Sequence, residues 1–148
     1  KLVPAMPTVD EIKVINREEK TLEVFLQNRW KISGGLPRSV QKLIPPKLLS
    51  YHDEAIWNQK EYVCYFTETP IDGSQIYKCT GKNTFSEKGN NTLLTISFEL
   101  IIHAEKIPGV PSFIARGIVP KIEKIISKEV AKNLAATAKV VERHINQK

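Results

Sequence analysis

Apolar and polar residues alternate with a period of two through the first two thirds of the chain, and the spacing then changes to about four. Val9 to Asn16 (VDEIKVIN) reads as a strand, Arg17 to Lys20 as a polar turn, and Thr21 to Ile32 as a second strand with Leu22, Val24 and Leu26 on one face and Phe25 on the other. Ser33 to Gly35 breaks the sheet. Leu36 to Leu49 then places Val40, Leu43 and Ile44 at the spacing of a short helix, ended by Pro45 and Pro46. Three more strands are expected over Ser50 to Trp57, Glu61 to Thr69 and Ile76 to Ser86, divided by polar turns that include Asp72-Gly73. Thr92 to Ala104 (TLLTISFELIIHA) is the most strand-like segment of all.

After Ile107 to Pro111 the apolar residues Ile122, Ile126, Val130, Leu134 and Ala138 recur at every fourth position, with Val141 and Ile145 beside them. Lys121, Lys124, Lys128, Lys132 and Lys139 fall on the opposite side. Val119 to Ile145 is therefore a long amphipathic helix, preceded by a shorter one over Ser112 to Gly117 that meets it at a kink beside Pro120. The predicted fold class is α+β: a curved antiparallel sheet of six strands wrapped around a long C-terminal helix. At roughly 40 Å, that helix is long enough to lie across the sheet and cover its apolar face.

Composition changes this picture little. The chain of 148 residues is 41% hydrophobic and 26% charged, which suits one globular domain and excludes a disordered tail, collagen or a coiled coil. No apolar run approaches the ~20 residues needed to span a bilayer. The net charge of +6 suits an anionic partner but equally a plain soluble surface. Nucleic acid is not favoured as that partner, because the helical lysine stripe comes without a recognition helix or stacking aromatics. Cys64 and Cys79 lie in apolar segments without CxxC spacing, so they read as free core thiols of an intracellular, reducing compartment, with a cross-hairpin disulfide as the alternative.

Candidate chemistry is sparse. His52-Asp53-Glu54 brings a potential general base next to carboxylates, but consecutive strand residues point to opposite faces, and the cluster reads as a solvated strand end. His103 and His144 lack metal-ligand spacing. Nucleophile-elbow, P-loop, GxGxxG and zinc patterns do not occur, so no catalytic residue, metal or cofactor is implied.

The order of elements, the lead-in Leu2 to Pro7 (LVPAMP), Trp30, the last strand Thr92 to Ala104 and the corner Ile107-Pro108-Gly109 before the long helix resemble the helix-grip superfamily. These SRPBCC domains, START-like and birch-pollen-allergen-like, include lipid-transfer domains, polyketide cyclases and coenzyme Q-binding proteins. The resemblance implies one helix-grip domain over 1–148, lacking an initial strand and two short helices ahead of Val9 and leaving Thr92 to Ala104 with an open edge. It also implies an elongated apolar cavity between sheet and helix, with candidate lining residues Phe25, Trp30, Trp57, Tyr65, Tyr77, Phe98, Phe113, Ile122, Ile126, Val130, Asn133 and Thr137. Ile107, Pro108, Gly109, Val110 and Phe113 would form an entrance loop, and with Lys106 and Arg116 beside them they suit peripheral contact with a membrane.

The leading functional expectation is non-enzymatic binding or transport of a lipid or other hydrophobic small molecule. One alternative is a non-catalytic subunit that uses the same fold as a scaffold for a protein partner in a larger complex. The other is a cyclase- or hydrolase-like enzyme with a titratable group facing the cavity.

Overall fold

The computed structural model describes residues 3, 6, 9–32, 49–107 and 111–146, apart from the side chains of Ala104, Ser112, Ala115, Ile118, Ile125, Glu129 and Asn133. The short helix expected over Leu36 to Leu49 and the turn at Gly34-Gly35 fall almost wholly outside these residues. Six strands follow one another: β1 (Val9–Glu19), β2 (Glu23–Ile32), β3 (Ser50–Asn58), β4 (Val63–Pro70), β5 (Tyr77–Lys88) and β6 (Asn91–Ile102). They form one open, curved antiparallel sheet in the order β1-β2-β3-β4-β5-β6, the meander that the period-two segments predict. A 3-10 turn at Ala104–Lys106 leads to helix α1 (Ser112–Asn146).

Local chemistry explains the joints. β5 and β6 meet in a two-residue turn between Lys88 and Asn91, where Gly89 has φ of 59°, a conformation that costs any side-chain-bearing residue strain. Two irregularities of register in β1, between Val9 and Glu11 and between Val14 and Asn16, bend that strand against β2.

The expected break near Pro120 does not divide the helix. α1 runs as one element of 35 residues with Pro120 inside it. Pro120 has no N–H to offer the Arg116 carbonyl, so one rung of the helical ladder is missing there while the chain on both sides stays helical.

Strand register sorts the side chains into two faces. One face carries Val24, Leu26, Asn28 and Trp30 of β2; Tyr51, Asp53, Ala55 and Trp57 of β3; and Cys64, Phe66 and Glu68 of β4. It continues through Tyr77, Cys79, Gly81 and Asn83 of β5 to Leu94, Ile96, Phe98, Leu100 and Ile102 of β6. This inner face holds the buried Ala55, Cys64 and Cys79, and α1 approaches it along β6. Exposure along β6 alternates accordingly, with Leu94, Ile96, Phe98, Leu100 and Ile102 half-buried and the residues between them exposed.

A polar contact ties the helix to the sheet edge. The Ile102 backbone N–H donates to Glu123 Oε1 at 3.2 Å, so a carboxylate on the sheet-facing side of α1 satisfies a donor on edge strand β6. Among the described residues no helix is long and apolar enough to cross a membrane.

Candidate ligand site on the inner face of the sheet

Polar groups converge where β2 to β5 run side by side. Asn28, Asp53, Glu68 and Cys79 are cross-strand neighbours in one row of the inner face, and Trp30, Tyr51, Pro70 and Ile102 lie in or beside the next row. Asp53 Oδ2 accepts from Asn28 Nδ2 at 3.0 Å and from Trp30 Nε1 at 3.3 Å. Trp30 is held flat against Tyr51, with ring centroids 6.0 Å apart and planes 7° from parallel.

The environment acts on the acids unequally. Asp53 is shifted upward chiefly by desolvation, against the pull of its hydrogen bonds from Asn28 and Trp30. Glu68 is shifted further, to about 7, first by desolvation and then by the Asp53 charge, while a hydrogen bond from the Cys79 thiol works in the other direction. Burial also raises the Tyr51 and Tyr77 hydroxyls, with Glu68 as the next cause in each case. Near neutral pH the Glu68 carboxyl therefore shares time between its two protonation states, directly opposite Asp53.

Beside the polar row lies open apolar space. A groove of about 270 Å³ runs between Leu94, Ile96 and Phe98 of β6 and Ala131, Leu134, Ala135 and Ala138 of α1. Three alanines on the helix leave it unfilled. Next to the groove, Asn83 lies directly opposite Ile96, and its Oδ1 is buried without a hydrogen-bond partner.

A second hollow, about 300 Å³, lies near the β1–β2 hairpin tip on the other side of the sheet, among Glu18, Lys20, Glu23, Phe25 and Ile56. Its rim is exposed and carries three charged side chains, whereas the inner groove is lined by apolar side chains throughout, so the inner groove is the stronger candidate.

The expected lining residues divide along these lines. Trp30, Trp57, Tyr77 and Phe98 lie on the inner face, and Trp57 stacks on Phe85 at 6.0 Å between centroids. Ile122, Ile126, Val130 and Thr137 are half-buried on the helix, on or beside the stripe that continues to the groove residues Leu134 and Ala138. Phe25 and Tyr65 do not belong with them. Register places both on the outer face, one on each side of Ile56, because they are one residue out of phase with Val24 and Cys64. Phe113 is 75% exposed at the start of α1 and lines no cavity as placed. The Asn133 side chain and Pro108, Gly109 and Val110 fall outside the described residues; Ile107 is half-buried.

The expected solvated strand end also needs correcting, because Asp53 is half-buried and doubly hydrogen-bonded. His52 points to the other face, opposite Arg29 and Thr69, as alternation requires. Sequence reasoning missed Glu68, Asn28 and Cys79 as site residues. The available signal was phase: Asp53 and Glu68 share the alternation of Ala55 and Phe66, where a carboxylate is out of place. Among the described residues no group of histidine, cysteine and acidic side chains could hold a metal ion.

No protein-family model matches the chain, and no curated protein compared with it does either.

Proposed function

We propose that this protein binds a lipid or other hydrophobic small molecule, without covalent chemistry, between the inner face of the sheet and α1, and that it is a helix-grip domain. The observation that carries this reading is the apolar groove between β6 and α1, lying on the same face as a half-buried row of polar side chains. Apolar space flanked by a few convergent polar groups is the usual composition of a small-molecule site, and 270 Å³ falls just short of the ~300–1,000 Å³ range of drug-sized ligands. A slender alkyl chain suits that volume better than a bulky polycycle.

The start of α1 supports a route of entry. Phe113 and Ile114 are 75% and 41% exposed, and the neighbouring Arg116 is exposed as well. Apolar side chains beside a base suit brief contact with an anionic membrane surface, from which a lipid could be collected.

A catalytic reading draws on one observation, the placement of Glu68 near neutrality beside Asp53. The two thiols on that face are poorly suited to attack: burial pushes Cys64 and Cys79 up to about 12, which keeps both protonated. Ligand binding is therefore the better supported function.

Native mass spectrometry of gently purified protein tests it. A co-purifying lipid or alkyl compound, lost from the Ala135→Leu/Ala138→Leu double variant, is the expected result. Protein that emerges empty and takes up no neutral lipid when resupplied overturns the reading.

A further inference from the structure

The two edges of the sheet are built in opposite ways. Among its 11 residues β1 carries the charged Asp10, Glu11, Lys13, Arg17, Glu18 and Glu19, and its register is twice irregular, devices that keep a strand edge from pairing with another chain. β6 has neither device. Over its 12 residues it pairs with β5 without a break in register, contains no proline, lysine or arginine, and has Glu99 as its one charge. Such an edge is a template for a further strand.

Two hydrogen bonds show which backbone groups face the open side. The His103 N–H donates to the Ile76 carbonyl, toward β5, and the Ile102 N–H donates the other way, to Glu123. Alternation along the strand then turns the N–H and C=O groups of Leu94, Ile96, Phe98 and Leu100 to the open edge. No strand among the described residues pairs with them there.

We propose that this edge is an interface between two copies of the chain, β6 pairing antiparallel with β6 of the second copy about a two-fold axis at Ser97. The strand is self-complementary about that residue. On the inner side Leu94 faces Leu100 and Ile96 faces Phe98, pairs whose edge-facing groups exchange about eight backbone hydrogen bonds in all. On the outer side Thr95 faces Glu99 and Leu93 faces Ile101. Leu93 and Ile101 are each 44% exposed, and the pairing covers one with the other. The two Glu99 carboxylates lie four residues apart along the seam, roughly 13 Å, so like charges do not meet across it.

The neighbouring registers fit less well. An axis at Ile96 sets Leu93 against Glu99, and an axis at Phe98 calls on the Ile102 N–H, which Glu123 already holds. The joined sheet ends in the charged, irregular β1 on both sides, so assembly stops at two copies.

Sedimentation of the 148-residue chain over a range of concentrations, combined with amide hydrogen exchange, tests the proposal. An edge-to-edge pairing is expected to dissociate in the micromolar range, and the amides of Leu94, Ile96, Phe98 and Leu100 should gain protection as the dimer forms. Ser97→Glu gives the folded monomer a cross-strand ion pair with Lys82 of β5 but sets two carboxylates together at the axis. It should weaken association at least about tenfold and leave the Tm of the dilute monomer unchanged. With oxidised glutathione, Ser97→Cys should form a disulfide-linked dimer, because residues directly opposed at the axis lie within disulfide reach. Thr95→Cys, whose two copies lie roughly 13 Å apart, should not. A chain that stays monomeric at submillimolar concentration, edge amides already protected in the monomer, association indifferent to Ser97→Glu, or equal cross-linking through Thr95→Cys overturns the proposal.

Discussion

Asp53 and Glu68 stand opposite one another across β3 and β4, and burial, reinforced by the Asp53 charge, pushes the Glu68 carboxyl up to about 7 from its ordinary 4.5. Folded Glu68 keeps a proton that the unfolded chain releases at lower pH. Stability from this group is therefore greatest below about pH 4.5, falls as pH rises toward 7, and levels off above that. The loss amounts to roughly 3 kcal/mol at most. Thermal unfolding at a series of pH values should show Tm falling between pH 5 and pH 7.5, and Glu68→Gln should flatten that part of the profile. An unchanged slope in Glu68→Gln would assign it to other groups.

Glu123 joins the helix to the sheet through the Ile102 N–H. Glu123→Ala removes a charged acceptor from a part-buried donor and should cost about 1–2 kcal/mol in denaturant unfolding. Faster hydrogen exchange at the Ile102 amide should accompany the loss. Glu123→Gln, which retains a carbonyl acceptor, should recover part of both.

Gly81 shows how closely strand β5 is packed. A Cβ there would collide with the Phe66 ring and stand 2.5 Å from the Ser97 carbonyl oxygen, so two neighbouring strands oppose any side chain. Gly81→Ala should destabilise the fold by about 2–3 kcal/mol, read as a lower denaturant midpoint. The paired change Gly81→Ala with Phe66→Leu should relieve part of that loss by withdrawing the ring.

Cys64 and Cys79 are both free and buried, with thiols held protonated up to about pH 12. Neither should react with an aromatic disulfide reagent in the native state at pH 8, and both should react once the chain is unfolded. Titration of thiols with and without denaturant measures this directly.

The strands were legible because one face of each is half-buried, and the period-two pattern records that asymmetry. β6 shows it best, from Leu94 to Ile102. The long helix was legible from the four-residue recurrence of Ile122 to Ala138, whereas continuity through Pro120 was not, because a proline removes one rung and does not by itself decide whether the chain beyond continues. Aromatic character suits Phe25 and Tyr65 to a cavity lining but does not fix the face they take. Their phase opposes that of Val24 and Cys64, and phase decides the face. The carboxyl pair was hidden for another reason: Asp53 and Glu68 are 15 residues apart in sequence, and only the β3–β4 register makes them neighbours.

The central claim is that the inner groove, and not the exposed outer face, receives a hydrophobic ligand. Titrating isotope-labelled protein with dodecanol while recording methyl and amide NMR shifts tests that claim most directly. The expected result is saturable shifts at Leu94, Ile96, Ala131, Leu134, Ala135 and Ala138, with Ile56 and Tyr65 unmoved. Shifts confined to Phe25, Ile56 and Tyr65, or none that saturate, would contradict it.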